Sequence, residues 1–217
     1  DDLKEAIEKI VVGPSRKSHL MSDSEKKITA YHEGGHALVG AVLPESDPVH
    51  KVTILSRGRA LGYTMKLPLE DKNMKTKKAF LDEIAALIGG YAAEKLIFGE
   101  LTTGASNDLK VASGLARKMV TQYGMSDAFG PIVLGEGHEN VFLGRDIGEQ
   151  KNYSEDTAQK IDAEVRRIMA EGEARATQVM TQYRTYLDII ADRLLKEETL
   201  EQEAFTEIVK DIIPPNK

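Results

Sequence analysis

Ser22-Asp-Ser-Glu-Lys-Lys-Ile-Thr-Ala-Tyr-His-Glu-Gly-Gly-His-Ala-Leu-Val-Gly-Ala-Val-Leu43-Pro44 decides how this chain is read. Ser22 and Glu25 have the spacing of a capping box, in which each residue satisfies the other's orphan backbone N–H. Ile28, Tyr31, Gly35, Val39 and Val42 then recur at helical spacing, and Leu43-Pro44 ends the run. A helix over residues 23–42 is therefore predicted, carrying His32, Glu33 and His36 one turn apart.

Downstream, residues 50–56 and 60–67 are rich in strand formers and joined through Arg57-Gly58-Arg59, which reads as a hairpin. From Lys75 a helical period runs through Phe80, Ile84, Leu87, Ile88, Tyr91 and Leu96 to a stop at Gly99. The polar loop Thr102-Thr-Gly-Ala-Ser-Asn107 opens another helix bearing Leu109, Ala112, Ala116, Met119 and Tyr123. Residues 124–153 are Gly-rich, with a candidate short strand at Pro131–Leu134. After Ser154 the chain is helical, and Thr199-Leu-Glu-Gln202 is expected to cap a last helix closed by Pro214-Pro215. Upstream, Leu3, Ile7, Ile10 and Val11 mark the end of a helix, stopped by Gly13-Pro14 and followed by a polar connector. The predicted class is mainly α with a small antiparallel β-sheet and a C-terminal helical bundle.

Composition removes whole classes of function. The 217 residues contain no cysteine, which excludes disulfides, thiolate zinc sites, iron–sulfur clusters and cysteine nucleophiles. A net charge of −6 without a basic block argues against nucleic-acid binding. Lys72, Lys75, Lys77 and Lys78 form a small basic cluster, read as a solvated helix start. No apolar run approaches the ~20 residues of a membrane span. The chain begins at Asp1, so it is expected to be part of something longer.

His32-Glu33-Gly34-Gly35-His36 is an H-E-x-x-H pattern. Residues i and i+4 lie about 400° apart around a helix, so both imidazoles leave the same face and converge on one ion. Glu33 is placed to act as general base toward a water activated there, the chemistry of a zinc hydrolase. The competing reading is an ordinary helix with two partly exposed histidines. Gly34 and Gly35 each cost about 1 kcal/mol relative to Ala in a helix interior, so a close neighbour is expected at one of them.

A zincin-type active-site helix needs a third ligand. The metzincin extension is absent, since Val39 and Val42 stand where its Gly and third His belong. His19, His50 and His138 read as solvated surface residues. A carboxylate remains, either Glu94 in Gly-Gly-Tyr-Ala-Ala-Glu or Asp108 in the first turn of the next helix. An acidic residue at Asp108 is equally explained by the helix dipole, and spacing does not choose.

Tyr31-His-Glu-Gly-Gly-His-Ala-Leu-Val39, Val52-Thr-Ile-Leu-Ser-Arg-Gly-Arg-Ala-Leu-Gly-Tyr-Thr64, Gly89-Gly-Tyr-Ala-Ala-Glu94, Thr102-Thr-Gly-Ala-Ser-Asn-Asp108 and Gln122-Tyr-Gly-Met-Ser126 together resemble the peptidase domain of the FtsH family, in order and over nearly the whole chain. Its members are membrane-anchored, ATP-dependent zinc metalloproteases that assemble as hexamers. The resemblance implies a zinc endopeptidase with His32, His36 and Asp108 as metal ligands and Glu33 as general base, leaving Glu94 as the second-choice ligand. It implies that residues 1–22 link to an AAA+ ATPase module, that 23–213 form the peptidase domain and that 214–217 are a tail. It further implies a homohexamer cutting unfolded or membrane proteins, on the cytoplasmic or organelle-interior side of a membrane-anchored parent, this piece itself being soluble. No phosphate-cradling G-x-x-x-x-G-K-[ST] is present. Two departures stand out: Gly34 where the family usually has Ala, and Tyr91 where it usually has Arg. An edge strand at Leu61–Met65 is expected to offer its backbone to extended substrate. The rival is a catalytically silent oligomerisation module.

Overall fold

The computed structural model describes residues 21–56, 61–67, 74–134 and 153–214. The predicted helix forms as α1 (Asp23–Val42), with both halves of the capping box made: Ser22 Oγ accepts from the Glu25 N–H at 3.2 Å, and Glu25 Oε2 accepts from the Ser22 N–H at 2.9 Å. Every residue from Thr29 to Ala41 is buried, so α1 is a central helix enclosed on all sides rather than a surface helix with one apolar stripe.

β1 (Val49–Thr53) and β2 (Tyr63–Lys66) form the expected antiparallel pair, with Val52 opposite Thr64 and Thr53 opposite Tyr63. The turn at 57–59 lies outside the described residues, as do Lys72, the helix and connector before residue 21, and the end of the tail. A third strand, β3 (Thr199–Glu201), lies on the other side of β1, giving the order β2-β1-β3. This corrects the capping reading of Thr199–Gln202. Thr199 faces Thr53 across the sheet, their hydroxyls 2.7 Å apart, while Glu201 caps the following helix without any side-chain bond. Pairing with an open strand edge outweighed a local cap that the sequence offered equally well. β2 is an edge strand, with no further strand beside it among the described residues.

The helical run from Lys75 to Gly99 is two helices, α2 (Lys77–Leu87) and α3 (Gly89–Phe98), which meet at Ile88. Gly99, at φ 68°, ends α3 in the left-handed conformation that glycine favours. A short 3₁₀ turn (Thr103–Ala105) leads into α4 (Ser106–Thr121). Residues 131–134 form no strand, and the Leu134 N–H donates to the Thr121 carbonyl at 2.7 Å. The C-terminal helices are α5 (Glu155–Gln182), α6 (Arg184–Glu197) and α7 (Gln202–Val209). The chain bends at Tyr183, because α5 packs on α2 and α4 while α6 packs on α1.

Two apolar clusters follow from this arrangement. One surrounds α1 with Leu38, Val52, Leu187, Ile190, Leu194 and Leu200; the other joins α2, α4 and α5 through Ile84, Ile88, Met119, Ile161 and Ile168. The molecule is mainly α with a small three-stranded antiparallel sheet, as its sequence leads one to expect.

Candidate metal centre

α1 and α3 cross at glycines. A Cβ on Gly35 would lie 2.5 Å from the Gly89 carbonyl oxygen, and one on Gly89 would lie 2.8 Å from that of Gly35, so neither position admits a side chain. One residue on, a Cβ at Gly90 would fall 2.4 Å from the His32 ring. Ile88 breaks the helix pair at this crossing, and the break lets the glycine face of α3 lie against α1. The expected close neighbour therefore belongs to Gly35. Gly34 faces Leu187 and Ile190 instead, at 3.3–3.4 Å from a would-be Cβ.

The crossing sets the imidazoles. His32, Glu33 and His36 are only 8%, 6% and 9% exposed, which removes the reading of two partly exposed histidines. His36 Nδ1 lies 2.8 Å from the Ala86 carbonyl oxygen, an acceptor only, so this nitrogen carries the proton and Nε2 is left with its lone pair. His32 Nδ1 lies 2.7 Å from Glu94 Oε1, and donation to that carboxylate orients its Nε2 in the same way. The two Nε2 atoms are 3.1 Å apart, and each is 3.4 Å from Asp108 Oδ2, delivered by the first turn of α4.

With each ring's proton on Nδ1, the tautomer a ligating histidine takes, three electron-pair donors converge. Ligand atoms about 2.0–2.1 Å from a tetrahedral ion would be spaced about 3.3 Å apart, which the 3.1, 3.4 and 3.4 Å edges match. His32, His36 and Asp108 are the one group of this kind among the described residues. Glu94 is outside it: buried behind His32, it also accepts from the Thr102 N–H at 2.7 Å through Oε2. His50, expected to be solvated, is buried and sits 3.1 Å from Gln202 Oε1, away from the cluster. His19 and His138 lie outside the described residues.

The electrostatics describe a cluster short of positive charge. Burial opposes protonation of His32, yet hydrogen bonds to Asp108 and Glu94 and the nearby Glu33 charge overcome it and push its pKa up to about 10. Burial likewise opposes ionisation of Asp108 and Glu94. Contacts to both histidines hold Asp108 well below the usual carboxylate range, and bonds from His32 and Thr102 hold Glu94 below its ordinary value. Glu33 goes the other way, because its burial outweighs the two histidines and the Thr64 hydroxyl. The donor set therefore fits a divalent cation, with Glu33 beside it as a carboxylate that readily accepts a proton.

The sequence reading missed what holds Glu33. Thr64 Oγ1 donates to Glu33 Oε2 at 2.8 Å, and a Cβ on Gly62 would lie 3.0 Å from Glu33 Oε1. Alternation along the extended run Gly62-Tyr-Thr64 was the available signal, since it turns both residues to the same side. Which element that side meets was not legible.

Residues 19–208 match the model of peptidase family M41. The chain belongs to peptidase family M41. Among curated relatives, it is 49% identical over 97% of its length to the ATP-dependent zinc metalloprotease FtsH of Pseudothermotoga lettingae. It is 46% identical over 97% to the FtsH of Thermotoga maritima and 47% identical over 96% to that of Bacillus subtilis. The chain spans about a third of the length of these relatives: 34%, 35% and 33%, respectively. In this M41 chain Tyr91 is half-buried against the second apolar cluster, with Lys95 Nζ 6.0 Å from its ring centroid.

Proposed function

We propose that this chain is a zinc-dependent endopeptidase domain in which His32, His36 and Asp108 hold the ion and Glu33 is the general base. The observation that carries this reading is the triangle of converging lone pairs at 3.1, 3.4 and 3.4 Å beside a buried carboxylate. Zinc bound there supplies a Lewis acid and an activated water at neutral pH. The chain's own residues do the rest. Glu94 and the Ala86 carbonyl keep both imidazoles in the ligating tautomer. Glu33 takes a proton from the attacking water and returns it to the leaving amine. β2 is the outer strand of the sheet among the described residues and is the strand extended polypeptide would lie along, so that recognition follows backbone accessibility.

Relatives described as ATP-dependent support placing this domain, residues 23–213, beside an AAA+ ATPase module of the same parent chain. In that setting it is a member of a homohexamer that cuts unfolded or membrane proteins delivered by the ATPase, in a membrane-anchored parent. No helix among the described residues is long and apolar enough to cross a membrane.

The test is metal content together with cleavage of an unfolded substrate. About one zinc per chain with cleavage is expected; less than about one per five chains with no cleavage would favour a silent oligomerisation module. Asp108→Ala should abolish stoichiometric zinc, whereas Glu94→Ala should weaken affinity about 10–100-fold, as loss of a group that orients a ligand does. The reverse pattern would overturn the ligand assignment.

A further inference from the structure

Glu33 is buried, and among the described residues its carboxylate receives one hydrogen bond, from Thr64 Oγ1 to Oε2 at 2.8 Å. The same hydroxyl lies 3.2 Å from the Glu33 backbone carbonyl, but it has a single proton, and the shorter bond to a charged acceptor is the stronger. We propose that Thr64 is the positioning residue for Glu33: its hydroxyl pins Oε2, leaving Oε1 as the oxygen free to exchange protons, and so fixes the base to strand β2. The inference rests on the reading of Glu33 as general base.

Three features make the contact a built one. The glutamate side chain has three rotatable bonds, and α1 alone leaves the carboxylate free to swing. Thr64, by contrast, is β-branched and held in register opposite Val52, so its hydroxyl direction is set by the sheet. Gly62, two residues earlier on the same side, leaves the space that Glu33 fills; a Cβ there would lie 3.0 Å from both Cγ and Oε1. β2 is also the outer strand of the sheet among the described residues, so substrate backbone lying along it would bear on the strand that holds the base.

The experiment compares Thr64→Val, Thr64→Ser and Glu33→Gln in the full chain, using a short internally quenched peptide and zinc analysis. Thr64→Val should lower kcat about 10–100-fold, as loss of a hydrogen bond to a charged group does, with KM and zinc content unchanged. Thr64→Ser should recover kcat to within about threefold, since it restores the hydroxyl without the methyl. In infrared difference spectra of the metal-free protein, Thr64→Val should shift a carboxylate band that Glu33→Gln removes. Should Thr64→Val not fold, Thr64→Ala carries the same comparison. Wild-type kcat in Thr64→Val with Glu33→Gln inactive would overturn the positioning role while sparing the base. Equal impairment of the Ser and Val variants, or a rise in KM with kcat unchanged, would also overturn it. An active Glu33→Gln protein would instead sink the base assignment beneath it.

Discussion

Glu33, buried on α1, and Lys66, half-buried at the end of β2, are ionisable groups on facing elements, and they are treated differently. Glu33 lies beside two imidazoles and accepts from the Thr64 hydroxyl, whereas among the described residues Lys66 donates to the Ser46 hydroxyl at 3.2 Å. Its stem packs against Gly40, and a Cβ there would meet Lys66 Cε at 2.8 Å. Burial therefore pushes the Lys66 ammonium down to about 8, against the opposing pull of Glu83 and Asp47. An unfolded lysine titrates near 10.4, so between pH 8 and about 10 the unfolded chain holds a proton that the folded chain has released. Stability should rise with pH across that window, and Lys66→Met should flatten the rise. Urea midpoints for both proteins at pH 7.5 and 9.5 check it; parallel curves would show that Lys66 bears no such burden. Much of the metal cluster was legible at this scale, because H-E-x-x-H is a local pattern with a helical geometry. Thr64 was not, since a hydroxyl's partner across space leaves no mark on spacing.

Elements are where the two glycines of the motif separate. Both have the same helix propensity and both lie on α1, yet only Gly35 stands where α3 crosses. Gly35→Ala must push away the backbone of α3, whose Gly89 carbonyl oxygen would lie 2.5 Å from the new Cβ. A loss of several kcal/mol is expected, at or above the usual 1–3 kcal/mol range for overpacking, and zinc should go with it, because the same crossing seats His32 against Gly90. Gly34→Ala brings its Cβ no closer than 3.3 Å to its nearest neighbours, methyl groups of Leu187 and Ile190, and recovers up to about 1 kcal/mol of helix propensity. Chemical denaturation of both variants should therefore give opposite signs. The sheet offers a second test. Proline scanned through Tyr63–Lys66 removes backbone donors from β2 one at a time. A variant that stays folded and zinc-loaded should lose peptide hydrolysis; undiminished cleavage would exclude strand pairing as the mode of substrate binding.

For the whole molecule, metal and fold should be linked. Donors come from α1 and α4, supported by α3 and the end of α2, so an ion held by all three ligands binds only the assembled structure. Zinc at 100 times its dissociation constant should add about 2.7 kcal/mol, raising Tm by about 5–10 °C in a domain of this size. Differential scanning calorimetry with and without zinc measures this, and Asp108→Ala should cancel it. Local information in the sequence determined the capped helix α1, the β1–β2 hairpin, the Gly99 stop and two histidines one turn apart, because each is set by neighbours within a few residues. It left open which carboxylate completes the cluster. Glu94 and Asp108 lie 62 and 76 positions from His32, and periodicity carries no information over such separations. Tertiary structure decided between them: the Gly35–Gly89 crossing puts Glu94 behind the His32 ring, at Nδ1, and the turn into α4 brings Asp108 to the Nε2 side. The strand at Thr199 was decided in the same way, by a β1 edge that the local sequence could not see.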